Sequence, residues 1–217
     1  MIVMTSGDAS SRRERNKART RQAIKSAVLD LALERDIGTV TAEEIAEHAG
    51  ISRRTFFNYY AGLDAVLVEA TLEPMHAVAE RFLQRPAEED PLAAMVAALE
   101  GPAPVELARW SVALCRESTQ GTEVYARMWQ LHTAWLRGVL QDRLGAASVD
   151  PLYVAGLAGA VMSVFAAAQA TWLTRTGGRL DEASLEDLSH DVCSALQHAR
   201  DGWRAPPLSA RTTADRR

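Results

Sequence analysis

The sequence predicts an all-α chain of about nine helices, with a three-helix unit at the N-terminus and a larger helical unit behind it. Three observations predict it: two short capped helices between residues 41 and 60, apolar residues that recur at helical spacing elsewhere, and an uncharged run from Pro151 to Thr174. Clusters of Gly and Pro punctuate the periodic segments.

The first stretch reads TAEEIAEHAGISRRTFFNYY. Thr41 is placed to cap a helix, with Glu43 and Glu44 in the opening turn, where carboxylates favour the positive end of the helix dipole. That helix runs to about Ala49. Gly50 supplies a left-handed stop, and Ser52 caps a second helix from Arg53 to about Tyr60. The result is a helix, a tight turn and a helix. At about 100° per residue, Phe56 and Tyr60 fall on one side of the second helix, and Arg54 and Asn58 on the other. A guanidinium beside an amide is the pair that bonds bidentately to guanine and adenine edges, while Thr55 and Tyr59 flank it with hydroxyls suited to phosphates. One Arg and one Asn also suit an ordinary solvated helix, so their surroundings decide.

At 217 residues and 47% apolar content, the chain has the make-up of a globular protein, with room for one large domain or two small ones sharing a core. Its two cysteines, Cys115 and Cys193, have no second pair and no ligand spacing, which speaks against a disulfide framework and a zinc site. The histidines show no paired metal-ligand spacing either, so no metal and no cofactor is expected. The opening MIVMTSGDASSRRER puts its charges after a very short apolar start, the wrong order for a signal peptide, and a cytoplasmic location is expected. The net charge of −4 conceals an asymmetry. Residues 11–25 carry seven bases against one acid; residues 1–60 sum to +2 and the remainder to −6. A basic run just before a helix-turn-helix is the footprint of phosphate contact, because each neutralised phosphate releases counterions. Lys17 and Arg19 are its candidate phosphate ligands.

In chain order, residues 1–16 are expected to form a flexible basic arm. A first helix is expected from near Lys17 to Arg35, with Ala23, Ile24, Ala27, Val28 and Leu31 as one apolar stripe. Asp36-Ile37-Gly38 ends it. Val40, Ile45, Ile51 and Phe56 then close over the stripe, making residues 17–62 one three-helix unit. A fourth helix follows from Leu63, with a kink at Pro74 and an end near Arg85-Pro86.

The run from Arg19 to Leu67 resembles the DNA-binding domain of the tetracycline-repressor (TetR) family of transcriptional regulators. The resemblance covers roughly the first third of the chain and rests on the Ile24/Ala27 start, the Thr41 cap, Ile45-Ala46, the Ala49-Gly50-Ile51-Ser52 turn and the Thr55-Phe56-Phe57-x-Tyr59-Tyr60 helix. It implies that the second helix of the motif enters the major groove of DNA. Arg53, Arg54, Thr55, Phe57, Asn58 and Tyr59 are then the matching contacts, with Thr41 and Glu43 on the preceding helix. Members of the family usually open the fourth helix with a phosphate-binding lysine, where this chain has Leu63. The resemblance also implies a C-terminal domain, here residues 63–204, that binds an inducer and dimerises.

Periodicity alone describes that half. A fifth helix is expected to about Glu100, a sixth from Val105 to Ser118, and a seventh from Glu123 to Arg143 that is apolar over a wide arc and must be covered on more than one side. Four of the five tryptophans, Trp110, Trp129, Trp135 and Trp172, lie between Leu92 and Trp172. Aromatic and flexible side chains among a few polar ones are what an adaptable apolar pocket is lined with. Trp110, Met128, Trp129, His132, Trp135, Met162, Phe165 and Gln169 are the candidate ligand-binding residues, with Tyr125, Thr133 and Arg109 as further polar groups nearby. The uncharged run at 151–174 is about 36 Å long as a helix, enough for a membrane span. Its alanines and glycines instead favour close helix packing, and with a last helix at about 184–203 it is expected to form half of a four-helix dimer interface. Residues 205–217 are expected to be a disordered tail.

The reading is a homodimeric transcriptional regulator, a repressor released from a palindromic double-stranded operator by a small, largely apolar effector. Two other classes are an enzyme using the C-terminal pocket and a membrane-anchored helix-turn-helix protein. The enzyme lacks a G-x-S-x-G turn, a phosphate loop and a metal pair in its support.

Overall fold

The computed structural model describes residues 6–114, 123–145 and 150–203. Among these, nine α-helices and one 3-10 turn account for the regular structure. They are α1 (Ser6–Glu34), α2 (Ala42–His48), α3 (Arg53–Tyr59), α4 (Leu63–Leu83), α5 (Pro91–Ala98), α6 (Val105–Leu114), α7 (Glu123–Leu144), α8 (Pro151–Thr176) and α9 (Glu182–Arg200). The expected all-α architecture is the one observed.

Boundaries follow local chemistry. Thr41 and Glu44 form a reciprocal capping box at the start of α2, and Ser52 accepts the Thr55 N–H at 3.0 Å to start α3. Between them Gly50 sits at φ 66°, the Ile51 N–H reaches the Ala46 carbonyl at 2.9 Å, and the Gly50 N–H reaches Glu47 at 3.0 Å. This paired closure of the last carbonyls needs a left-handed residue, which is why glycine stands there. Asp90, Asp150 and Asp181 cap α5, α8 and α9 in the same side-chain-to-backbone manner.

Two apolar cores hold the helices. The first gathers Ile24, Val28, Leu31, Ile37, Val40, Ile45 and Phe56 from the N-terminal helices with Val66, Leu67 and Ala70 of α4, and extends to Trp110, Leu114 and Met128. The second lies among α4 to α9, with Phe82, Leu140, Trp172, Leu188 and Leu196 at most 2% exposed. Helix α4 therefore serves both cores, its first half one and its second half the other. Helix α7 packs against α4 and against α8, the coverage its wide apolar arc calls for, although Leu131 stays 40% exposed.

Several expectations are corrected. The first helix begins at Ser6 rather than near Lys17, so the bases from Arg12 to Lys25 are spread round a helix instead of along a loose arm. Two of them, Arg21 and Lys25, turn inward: Arg21 pairs with Glu69, and Lys25 with Glu73 and, at 3.9 Å, Glu69. Helix α4 continues through Pro74 to Leu83. Trp172 is fully buried, its indole N–H donating to the Ser184 carbonyl at 2.8 Å, and it takes no part in the cavity described below. Helix α8 is long and apolar enough to cross a membrane, yet Val154, Ala158, Val161, Val164, Ala168 and Trp172 place its inner face in the second core. The end of the sixth helix near Ser118 and the tail at 205–217 lie outside the described residues, as do residues 1–5 of the expected arm.

Candidate functional site

Helix α3 divides as its periodicity requires. Phe56 and Tyr60 are buried at 0% and 4% exposure, whereas Arg53, Arg54, Phe57 and Asn58 face solvent and Thr55 and Tyr59 are half-buried. The Arg53 guanidinium lies 5.6 Å from the Phe57 ring centroid, so that cation is steered along the helix by its neighbour. Among the described residues, Arg54 and Asn58 have no such engagement. The Thr55 and Ser52 hydroxyls share a hydrogen bond of 2.8 Å at the helix start. Thr41 is committed to its cap: its backbone N–H and its hydroxyl both donate to Glu44 Oε2, at 2.9 and 2.7 Å, and its oxygen accepts the Glu44 N–H at 3.3 Å. Glu43, Lys17 and Arg19 are exposed. Leu63, at the position of the family lysine, packs half-buried against the first core.

Beneath α3, a charged cluster ties α1 to α4. The Tyr60 hydroxyl donates to Glu69 Oε1 at 2.9 Å, and the Arg21 guanidinium lies 5.2 Å from the Tyr60 ring centroid. Burial, then the adjoining Glu69 carboxylate, pushes the Tyr60 hydroxyl's pKa upward and keeps it a donor. Alongside, Glu44 is held at about 2, well below the ordinary carboxylate, first by the Arg35 guanidinium at 2.5 Å and then by Thr41.

The second feature is an apolar cavity of about 140 Å³ between α4, α6, α7 and α8, with α5 and α9 adding to its lining. Trp110, Met128, Trp129, His132, Trp135, Met162, Phe165 and Gln169 all line it, and so does Tyr125. Thr133 does not; its hydroxyl bonds back to the Trp129 carbonyl at 2.9 Å. Arg109 lies on a separate outer groove between α1 and α6. Among the described residues, no carboxylate, Lys or Arg contributes to the wall.

Two polar pairs break the apolar lining. His132 Nδ1 donates to the Met128 carbonyl at 2.8 Å, leaving Nε2 facing the Thr71 hydroxyl at 2.7 Å. Burial lowers the His132 pKa, so the ring is neutral and Nε2 accepts. Ser111 donates its hydroxyl proton to Leu107 at 2.9 Å, so its oxygen can only accept, and Gln169 Nε2 donates to it at 2.6 Å.

Helix α4 joins the two features. Thr71, Leu72 and Met75 face the cavity, while Glu69 and Glu73 hold α1. Arg127 of α7 meets Asp64 in its first turn at 2.6 Å. Sequence reading missed the α4 wall and the Thr71 and Ser111 hydroxyls. The signal was present as a second apolar row at Leu72, Met75, Val78 and Phe82, which the first stripe of the same helix obscured.

Residues 24–70 match the model of the bacterial regulatory proteins of the tetR family. Over 87 residues the chain is 38% identical to the HTH-type transcriptional regulator TcmR of Streptomyces glaucescens, a stretch that is 38% of this chain and 37% of that protein. The fold resembles that of Thermus thermophilus FadR, described as a TetR family transcriptional repressor in complex with lauroyl-CoA, with a TM-score of 0.54 at 22% identity over 88% of this chain and 98% of that one. The capped helix-turn-helix with its exposed polar outer face thus lies in the segment, residues 24–70, that matches the tetR family of bacterial regulatory proteins, and a helical domain with a cavity follows it.

Proposed function

We propose that the protein is a homodimeric repressor that leaves a palindromic operator when a small, largely apolar ligand enters the C-terminal cavity. The observation that carries the reading is the free, exposed Arg54–Asn58 pair opposite the buried Phe56 and Tyr60. Arg53, Thr55, Phe57 and Tyr59 extend that surface, with Thr41 and Glu43 at its edge and Lys17 and Arg19 reaching flanking phosphates. Thr41 contributes mainly by holding α2 in place.

Two recognition helices must stand about one duplex turn apart, roughly 34 Å, to engage two half-sites. Helices α8 and α9 are the dimer surface in this reading. Support comes from the outer face of α8, where Tyr153, Gly156, Ala160, Ser163, Ala167 and Thr174 are exposed and mostly small. A ligand against Thr71 and Met75 moves α4, and α4 carries the carboxylates that position α1. The ligand's effect is limited to its differential affinity for the two spacings.

Selecting bound fragments from random duplex tests the whole reading. Two inverted half-sites are expected; a sequence with no internal symmetry overturns the dimer. On the selected operator, Arg54→Ala should cost about 1–3 kcal/mol and relax preference at one base pair. An equal loss on random DNA would reassign Arg54 to phosphate.

A further inference from the structure

Gln169 is 7% exposed and stands in the cavity wall. Its amide orientation is fixed by chemistry: the Ser111 hydroxyl proton is committed to Leu107, so the Gln169 NH2 must face Ser111, and the amide oxygen is the end left over. That oxygen receives no hydrogen bond from the protein among the described residues. Standing in the cavity wall, it is free to accept a hydrogen bond from an incoming group.

The other polar pair offers nothing comparable. That pair closes on itself: the neutral His132 ring donates from Nδ1 to the Met128 carbonyl, and the single Thr71 hydroxyl proton is shared between Nε2 at 2.7 Å and the Leu67 carbonyl at 2.6 Å. Among the described residues no carboxylate, Lys or Arg lines the wall, so a charged ligand would be desolvated without a counter-charge from them. Size and shape narrow the class further. A dry protein cavity of about 150 Å³ holds one benzene ring, and this one has about 140 Å³. Its walls present flat faces, with Tyr125 and Trp129 stacked at 6.1 Å and Trp135 and Phe165 beyond.

Resting on the ligand-responsive reading above, we infer that the cavity takes an uncharged, single-ring aromatic ligand whose one hydroxyl or N–H donates to Gln169 Oε1. Gln169 is thus the specificity determinant.

The test uses the full chain and three probes of matched shape, phenol, anisole and toluene, with benzoate as the charged arm, titrated calorimetrically. Phenol should bind at least tenfold tighter than anisole, which keeps the oxygen but lacks the donor, and benzoate should not bind. In Gln169→Met the ratio of phenol to toluene affinity should fall at least tenfold, while toluene binds as before. An unchanged ratio in that variant, equal binding of phenol and anisole to the unaltered protein, benzoate matching phenol, or no binding by any probe at millimolar concentration would each overturn the assignment. Should Gln169→Met fail to fold, the phenol and anisole comparison decides it alone. DNA affinity of the same preparation is measured separately. Duplex bound by a protein that admits no neutral arene sinks the ligand class only, whereas arene binding without duplex affinity sinks the regulator.

Discussion

Phe56 shows how far a single residue reaches. Its ring is fully buried, 5.3 Å from the Phe57 centroid and 6.3 Å from that of Tyr60, and it anchors the helix on which Arg54 and Asn58 stand. Phe56→Ala should cost about 3–5 kcal/mol, seen as a lower midpoint in denaturant unfolding. His132 gives a pH signature. Its folded pKa lies below 6.5, so the unfolded chain takes up a proton first as the pH falls. Its contribution to stability is complete above about 6.5 and declines from there toward the lowered folded value. His132→Gln should flatten that part of a stability-against-pH profile, and an unchanged slope would show that the ring takes up its proton as readily in the folded chain as in the unfolded one. At this scale the sequence was informative where residue type and helical phase suffice, as for the outward Arg54 and the inward Phe56. It was silent on Arg21 and Lys25, because whether a base on α1 meets phosphate or a glutamate of α4 depends on a helix 48 residues away.

Elements add constraints that no single side chain carries. The turn between α4 and α5 is organised by Arg143 of α7, whose buried guanidinium donates to the carbonyls of Phe82, Arg85, Pro86 and Glu89 at 2.7 to 3.3 Å. Lysine offers one point charge in place of a planar fork, so Arg143→Lys should lower stability by about 2–3 kcal/mol, measured by thermal unfolding. The α2–α3 turn depends on Gly50 differently. A Cβ there meets nothing within 4 Å, so Gly50→Ala should cost only the left-handed backbone penalty, about 1–2 kcal/mol. On α1, Lys17 and Arg19 are exposed and Arg21 and Lys25 are engaged, so Lys17→Ala with Arg19→Ala should reduce the salt slope of DNA binding by about two. No change in slope would put both side chains off the duplex. Helix positions were legible from caps and periodicity. The start of α1 was not, because the polar, serine-rich segment before Lys17 lacks the apolar stripe on which that reading relied.

For the whole molecule, the two cores decide what periodicity leaves open. The uncharged run in α8 satisfies a membrane criterion by composition, and only the packing of its Val, Ala and Trp residues against α7 and α9 reveals a core helix. If the proposed dimer forms, the purified protein should run as one without detergent in analytical ultracentrifugation; a requirement for detergent would return α8 to the bilayer. The cavity shows the same division. Its aromatic and methionine residues could be drawn from composition, but its volume, its neutral wall and the Ser111–Gln169 bond arise from helices far apart in sequence.

One consequence concerns how such a protein can be re-educated. Leu72 and Met75 touch the cavity from the helix that holds Glu69 and Glu73 against α1. Under the proposed function, randomising α4 in search of a new effector will thus co-select altered operator affinity in the same clones. Libraries confined to Trp135, Met162 and Phe165, on α7 and α8, should yield changed effector preference with DNA recognition inherited intact.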